Sequence, residues 1–186
     1  MVIVSQPGAT LDDLAREPGK AELIGGTIIR ISPTGHKPNR VASRILRGLD
    51  DYAEATGQGE AYTDDVGFAV PILPSGRQSL SPDVSYFAGP LTSPPMRFID
   101  GPPTFAVEVR GEGDYGPRAD AENAAKREDY FAAGTLVVWD VDTLGGLVHV
   151  YRRSDPLQPA TFKLGQTAEA EPAVPGWKIA VDRIFA

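Results

Sequence analysis

Hydrophobic positions in the middle of the chain form two short runs separated by a segment of helical length. The runs are Thr104–Val109 and Leu136–Val141, and the alanine-rich segment between them ends at Gly134, a residue type suited to the position just past a helix. This order predicts a βαβ unit whose two parallel strands are buried on both faces. The first run contains one carboxylate, Glu108. Because a buried carboxylate is costly unless it is paired, protonated or bound to a metal, Glu108 is the first candidate functional residue.

The pattern of apolar residues predicts further elements on both sides of this unit. Residues 10–13 have the pattern of a helix N-cap box, and Gly25-Gly26 joins two short strands in a hairpin. Residues 38–57 repeat apolar positions at helical spacing, which predicts a longer helix. Strand patterns occupy residues 61–72, 80–87, 147–151 and 160–164. We therefore expect an α/β (α+β) fold, a central mixed β-sheet flanked by helices, in a single domain of residues 1–186.

The residue types available in the chain restrict the kind of metal site that it can build. There is no cysteine, which excludes disulfides and thiolate sites, and only two histidines could offer an imidazole. Any metal site must therefore be built from carboxylates, which are the ligands of hard ions such as Mg²⁺.

Charge and hydropathy bear on location and partners. The first eight residues have no basic region and no long apolar run, and no segment approaches the roughly 20 apolar residues of a membrane span. We therefore expect a cytoplasmic protein with no membrane association. The formal charge of −7 weighs against nucleic-acid binding, although local patches matter more than the total. Arg40, Arg44 and Arg47 share one helical face, which is either an ordinary solvated face or an edge that contacts phosphates.

Three ionisable residues stand where apolar or small residues would pack better: Asp83, Glu108 and Lys126. Asp83 could simply cap a turn beside its proline, and Lys126 could form an exposed ion pair with Glu122. Two carboxylates on adjacent strands can also chelate Mg²⁺, which acidifies water and binds a phosphoryl oxygen. A nearby ammonium can stabilise the charge that develops on phosphorus. The three residues together suit hydrolysis of a phosphodiester.

A second motif follows the first strand of the βαβ unit. Gly111–Gly116 matches G-x-G-x-x-G, the pattern of a dinucleotide site, and Asp140 and Asp142 follow about one unit later. Glu112 and Asp114 would place two negative charges beside the pyrophosphate, and the unit lies late in the chain. A turn that leads into a helix is the better interpretation.

Short motifs run in order along almost the whole chain: Glu22-Leu-Ile-Gly-Gly-Thr27, Ile31-Ser-Pro-Thr34, Asp65-Val-Gly-Phe68, Ser81-Pro-Asp-Val84, Pro103-Thr-Phe-Ala-Val-Glu-Val109, Lys126 to Tyr130, Gly134, Val138-Trp-Asp-Val-Asp142 and Val148-His-Val-Tyr151. Together they resemble the Uma-type family of restriction endonucleases in the PD-(D/E)xK nuclease superfamily. The resemblance implies a restriction-endonuclease-like core in which Asp83 and Glu108 bind Mg²⁺ or Mn²⁺. It also implies that the lysine of the motif has moved to the following helix, as Lys126, and that Glu22 supports the site.

The chain departs from the family pattern directly after the first strand. Family members usually continue with an apolar residue and Ser-Pro, whereas this chain has Arg110 followed by Gly-Glu-Gly. Arg110 stands two residues after Glu108, where the wider superfamily places its lysine, and an arginine cannot act as a general base. Two hypotheses remain open. The chain is either a metal-dependent endonuclease that cuts DNA or an inactive module that binds DNA or a protein partner. For the endonuclease a homodimer is plausible, because cutting two strands needs two active sites.

Overall fold

The computed structural model of the protein describes residues 2–4 and 8–186. Met1 and residues 5–7, which belong to the N-terminal segment expected to lack a signal peptide, lie outside the described residues. Among the described helices, none is both long and apolar enough to cross a membrane. The elements in chain order are β1 (Val2–Val4), α1 (Leu11–Leu14), β2 (Ala21–Ile24), β3 (Thr27–Arg30), α2 (His36–Thr56), β4 (Glu60–Thr63), β5 (Phe68–Ala69), β6 (Ser79–Leu80), β7 (Val84–Phe87), β8 (Ile99–Asp100), β9 (Phe105–Val109), α3 (Pro117–Ala133), β10 (Val137–Asp142), β11 (Leu147–Arg152), β12 (Asp155–Lys163), β13 (Thr167–Glu169), β14 (Lys178–Ala180) and α4 (Val181–Phe185).

A six-stranded mixed sheet forms the centre of the fold, with strand order β12-β11-β10-β9-β7-β4. Only β9 and β10 run parallel to each other; every other neighbouring pair in this sheet is antiparallel. The parallel pair is joined by α3, so the predicted βαβ unit is confirmed. Its register places Glu108 opposite Asp140. The predicted fold class, a mixed sheet flanked by helices, is also confirmed.

The two faces of the central sheet are covered by different helices, because the strands between them are apolar on both sides. Helix α2 lies on one face, over a core that contains Phe105 and Trp139 in edge-to-face contact at 5.2 Å between ring centroids. Helix α3 lies on the other face and contributes Tyr130 and Phe131 to a second core. Glu108 interrupts this second face near the end of β9.

Two of the predicted strands are shorter than expected. Residues 61–72 divide into the end of β4 and β5, which lie in different sheets and are separated by a turn. Residues 80–87 divide in the same way into the end of β6 and β7. Pro82 lies between the latter two and has no N–H with which to continue a ladder. As a result the main strand begins at Val84, and Asp83 lies directly before it.

The predicted hairpin and helix caps are present. Gly25 and Gly26 both have positive φ, 56° and 70°, as a two-residue hairpin turn of the primed type requires. Thr10 caps α1 with a reciprocal pair of bonds to Asp13. The hairpin of β2 and β3 carries Glu22 toward the central sheet, and this brings it to the candidate site.

Candidate active site

Asp83 is held against β9 by two hydrogen bonds. Its backbone N–H donates to the carbonyl oxygen of Val107 at 3.0 Å, and its Oδ2 accepts the backbone N–H of Val109 at 2.8 Å. These two partners stand on either side of Glu108 in β9. The carboxylates of Asp83 and Glu108 are therefore neighbours, and the two side chains are 26% and 25% exposed, so both can be reached from solvent.

Glu108 has one engaged oxygen and one free oxygen. Its Oε1 accepts the Tyr130 hydroxyl at 2.5 Å and lies 2.9 Å from the Lys126 amine. Within residues 8–186, Oε2 accepts no hydrogen bond. Burial raises the pKa of Glu108 and the charge of Asp83 adds to that shift, although Lys126, Lys20 and Tyr130 oppose it. The removal of the Glu108 carboxylate from water thus outweighs the two lysines and the tyrosine that stabilise its charged form.

Lys126 reaches Glu108 because α3 packs on the face of the sheet from which Glu108 projects. Its Nζ lies 2.9 Å from Glu108 Oε1 and 3.3 Å from Glu22 Oε1, and its side chain is 18% exposed. Burial alone would lower the pKa of Lys126, but Glu108, Glu22 and Asp83 together raise it above its ordinary value. Lys126 therefore carries a positive charge throughout the neutral range, which suits electrostatic stabilisation better than proton abstraction.

Glu22 lies deeper than the other site residues, with its side chain 6% exposed and both oxygens engaged. Its Oε2 pairs with Arg77, and its Oε1 accepts the backbone N–H of Ser81 at 3.0 Å and faces Lys126. Burial would raise the pKa of Glu22, but Lys126 and Arg77 outweigh it and hold the pKa below the ordinary value. Arg77 also pairs with Asp129 at 2.7 Å. Glu22 thus belongs to a buried ionic layer beneath the site.

Arg110 does not enter the site, although strand periodicity places it on the face of Glu108. Its guanidinium forms two hydrogen bonds with Asp140, at 2.7 and 2.8 Å, and a third with Asp120 at 2.9 Å. Asp140 also pairs with Arg127 at 3.1 Å. Between the two cations that the sequence offered for the position beside Glu108, the geometry therefore selects Lys126.

Lys20 was not identified from the sequence, yet it makes the closest charged contact to Asp83. Its Nζ lies 2.6 Å from Asp83 Oδ1, and its side chain is only 11% exposed. It stands in the irregular segment between α1 and β2, where a lysine ordinarily extends into solvent. The two residues are 63 positions apart in sequence, and no local pattern links them.

The pair Asp83 and Glu108 fits a hard divalent cation. No group of three or more His, Cys, Asp or Glu side chains arranged to hold a metal occurs among the described residues, so these two carboxylates would be the only side-chain ligands of this kind. Mg²⁺ typically keeps several waters and binds proteins through one or two carboxylates. Oε2 of Glu108, which is free of hydrogen bonds within residues 8–186, leaves one carboxylate oxygen open to such an ion.

A small cavity of about 90 Å³ opens beside Asp83, between the strand ends and the first turns of α2. Its polar lining includes Thr34, Asn39, Ser43 and Asp64. The hydroxyls of Thr34 and Ser43 and the amide of Asn39 can donate hydrogen bonds to phosphate oxygens, whereas the Asp64 carboxylate can only accept them.

The arginine face of α2 is not uniform. Arg40 and Arg47 are exposed, whereas Arg44 is partly buried and donates to the backbone carbonyl of Ile184 in α4 at 3.2 Å. Only the outer two arginines are therefore placed like surface charges that could meet phosphates.

Comparison with known proteins agrees with this architecture. A family model described as "Putative restriction endonuclease", Uma2, matches residues 9–182. The chain belongs to the Uma2 family. This confirms the family that its motifs resemble. A solved structure, that of "a putative nuclease belonging to DUF820" from Anabaena variabilis ATCC 29413, aligns with a TM-score of 0.71 and 19% identity over 95% of this chain and 97% of that chain. Likeness at this identity bears on the fold alone. No curated protein matches the chain.

Proposed function

We propose that this Uma2-family protein is a metal-dependent endonuclease that hydrolyses DNA phosphodiester bonds. The observation that carries the proposal is the pair of hydrogen bonds by which Asp83 flanks Glu108 on β9, with the Lys126 amine 2.9 Å from the second carboxylate. Two neighbouring carboxylates can hold a divalent ion, and a charged amine beside them can stabilise the charge that develops during phosphoryl transfer. The family's description as a restriction endonuclease supports the same conclusion.

In this proposal Asp83 and Glu108 are the residues that would hold Mg²⁺ or Mn²⁺. When bound, such an ion supplies Lewis-acid stabilisation of a phosphoryl oxygen and makes water more acidic. Lys126 contributes a fixed positive charge beside Glu108 and stabilises the negative charge that develops on the phosphate oxygens. Glu22 and Tyr130 are positioning residues, since Glu22 faces the Lys126 amine and Tyr130 donates to Glu108.

The alternative is a module that keeps the fold and binds DNA or a protein without cutting. This alternative is favoured by Arg110, which stands where the family usually has an apolar residue followed by Ser-Pro. In this chain Arg110 forms ion pairs with Asp140 and Asp120. Both proposals share the fold, so only chemistry and metal binding distinguish them.

The deciding experiment incubates the purified protein with supercoiled, linear and single-stranded DNA, each in Mg²⁺, Mn²⁺, Ca²⁺ or EDTA. The proposal expects cleavage of at least one DNA form in Mg²⁺ or Mn²⁺ and none in EDTA, and loss of cleavage in Asp83→Asn and Glu108→Gln. Glu112→Gln, which removes an exposed carboxylate from the neighbouring loop, is the matched control and should cut normally. Intact DNA under every condition, with folded protein, would favour the binding module. Light scattering of the same samples measures whether the protein is a homodimer.

A further inference from the structure

Lys20 is held in an unusual place for a loop lysine. Its backbone carbonyl accepts the N–H of Ile31 at 2.9 Å, which fixes the start of the β2–β3 hairpin. Its side chain then runs inward, and its amine meets Asp83 Oδ1 at 2.6 Å with 11% of the side chain exposed. The other oxygen of Asp83 is taken by the backbone of Val109. A positive group is thus already bound to the oxygen of Asp83 that is free of the backbone.

The net charge of the site balances a divalent cation only when Lys20 has moved away from Asp83. The site and the layer beneath it contain four carboxylates, those of Glu22, Asp83, Glu108 and Asp129. They contain three cations, Lys20, Lys126 and Arg77. The resulting net charge is −1 with Lys20 in place and −2 without it. A divalent ion would overcharge the first arrangement and neutralise the second.

The fold provides somewhere for the amine to go. A cavity of about 280 Å³ adjoins Lys20. Its lining includes Glu17, whose carboxylate is already paired with Arg30 at 2.6 Å, and Asp65, which is exposed. A flexible four-carbon side chain anchored at Lys20 can therefore leave Asp83 and remain near negative charge.

We propose that Lys20 is a built-in counter-ion for Asp83 that a divalent metal displaces when it binds. The inference rests on the proposed function, because it takes Asp83 as a metal ligand. Lys20 stabilises the metal-free site and lowers its apparent affinity for metal by competing for the same carboxylate. Only the fraction of molecules in which Lys20 has left Asp83 binds the ion directly, which reduces the apparent affinity by that fraction.

The first test measures Mn²⁺ binding by calorimetry in the wild-type protein, Lys20→Met and Lys178→Met. Lys178 is an exposed lysine of β14 and serves as the control for loss of one positive charge. We expect Lys20→Met to bind Mn²⁺ about tenfold more tightly than wild type, as removal of a dominant competing state predicts, and Lys178→Met to bind as wild type does. Equal or weaker binding by Lys20→Met, with wild-type binding intact, would overturn the inference and leave the proposed function standing.

The second test uses the wild-type chain and does not depend on a variant that folds. Lysines are acetylated for a short time with and without Mn²⁺, and modification at Lys20 is measured by mass spectrometry relative to Lys178. We expect Lys20 to be protected without metal, to react several-fold faster at saturating Mn²⁺, and to react freely in Asp83→Asn at any metal concentration. Unchanged protection while Mn²⁺ binds would refute displacement. Failure of wild type to bind Mn²⁺ at all would refute the proposed metal site itself, and the inference with it.

Discussion

Replacing Arg77 with methionine would remove the cation shared by two buried carboxylates. Arg77 is 9% exposed, and its partners Glu22 and Asp129 are 6% and 9% exposed. Because the partners remain charged and cannot reach water, breaking such a pair typically costs about 3–5 kcal/mol. Glu22 keeps the Lys126 amine and the Ser81 N–H as partners. We therefore expect the loss in unfolding free energy for Arg77→Met to stay within the range for one broken pair.

In a chain of this length a loss of 1 kcal/mol lowers the melting temperature by roughly 2–4 °C. Arg77→Met should therefore melt about 6–20 °C below wild type. The assay is thermal and urea unfolding followed by circular dichroism at pH 7. Neutralising the stranded carboxylates in the same chain, with Glu22→Gln and Asp129→Asn, should restore much of the loss because no buried charge is then left unpaired.

The matched control is Arg118→Met, which removes an exposed ion pair with Glu122 on the surface of α3. It should melt within experimental error of wild type, because exposed pairs contribute little. A loss of less than about 1 kcal/mol in Arg77→Met would mean that the carboxylates are effectively solvated and would refute the expected cost. A deeper loss on adding the neutral substitutions would refute it as well.

Three further predictions concern stability and DNA binding. Tyr130→Phe removes the hydroxyl that donates to Glu108, and calorimetry should show a loss of about 1–3 kcal/mol in unfolding free energy. Asp142 accepts hydrogen bonds from Tyr115, Leu144 and Gly145. Burial would raise the pKa of Asp142, but these bonds outweigh it and lower the pKa below its ordinary value. The stability advantage of wild type over Asp142→Asn should therefore be full above about pH 4 and vanish as pH falls further. Replacing Arg40 and Arg47 with alanine should weaken DNA binding and reduce its salt slope by about one per lost phosphate contact.

Each of these predictions has its own control. Tyr151→Phe removes a hydroxyl but keeps the ring over which Arg127 lies at 4.1 Å, so it should leave the unfolding free energy unchanged. A loss equal to that of Tyr130→Phe contradicts the assignment. A wild-type advantage over Asp142→Asn that grows as pH falls would contradict the sign of the shift. Arg44→Ala should keep the wild-type salt slope, because Arg44 is engaged with Ile184. An unchanged salt slope in the variant that lacks Arg40 and Arg47 would mean that both arginines belong to an ordinary solvated face and do not contact phosphates.

The sequence predicts the part of the site that depends on local pattern. Apolar runs around an alanine-rich segment predict β9, α3 and β10, and the lone carboxylate in the first run identifies Glu108. Asp83 and Lys126 stand out because apolar or small residues would pack better at their positions, and motif resemblance adds Glu22. The structure brings these residues to one end of the sheet. Their roles in catalysis stay proposals, because position alone does not establish chemistry.

The partners that complete the site are invisible in the sequence, since they join distant and irregular segments. Lys20 meets Asp83 across 63 positions, and Arg77 meets Asp129 across 52. Both cations stand in turns rich in proline and glycine, where charged residues usually face solvent. Strand periodicity places Arg110 on the face of Glu108, but no sequence pattern shows that Asp140, which pairs with Glu108 in register on the neighbouring strand, holds the guanidinium.

The central claim, that Lys126 acts on the reaction and the carboxylates hold the metal, is tested most directly by comparing one variant in two assays. Lys126→Met is mixed with supercoiled DNA in Mg²⁺, and its thermal stabilisation by Mg²⁺ is measured in parallel with the wild-type protein. We predict that wild type cuts the DNA, and that the variant keeps the metal-induced rise in melting temperature but cuts at least 100-fold more slowly, about 2.7 kcal/mol in activation free energy. Cleavage by the variant at the wild-type rate, or loss of metal binding together with cleavage, would contradict the account.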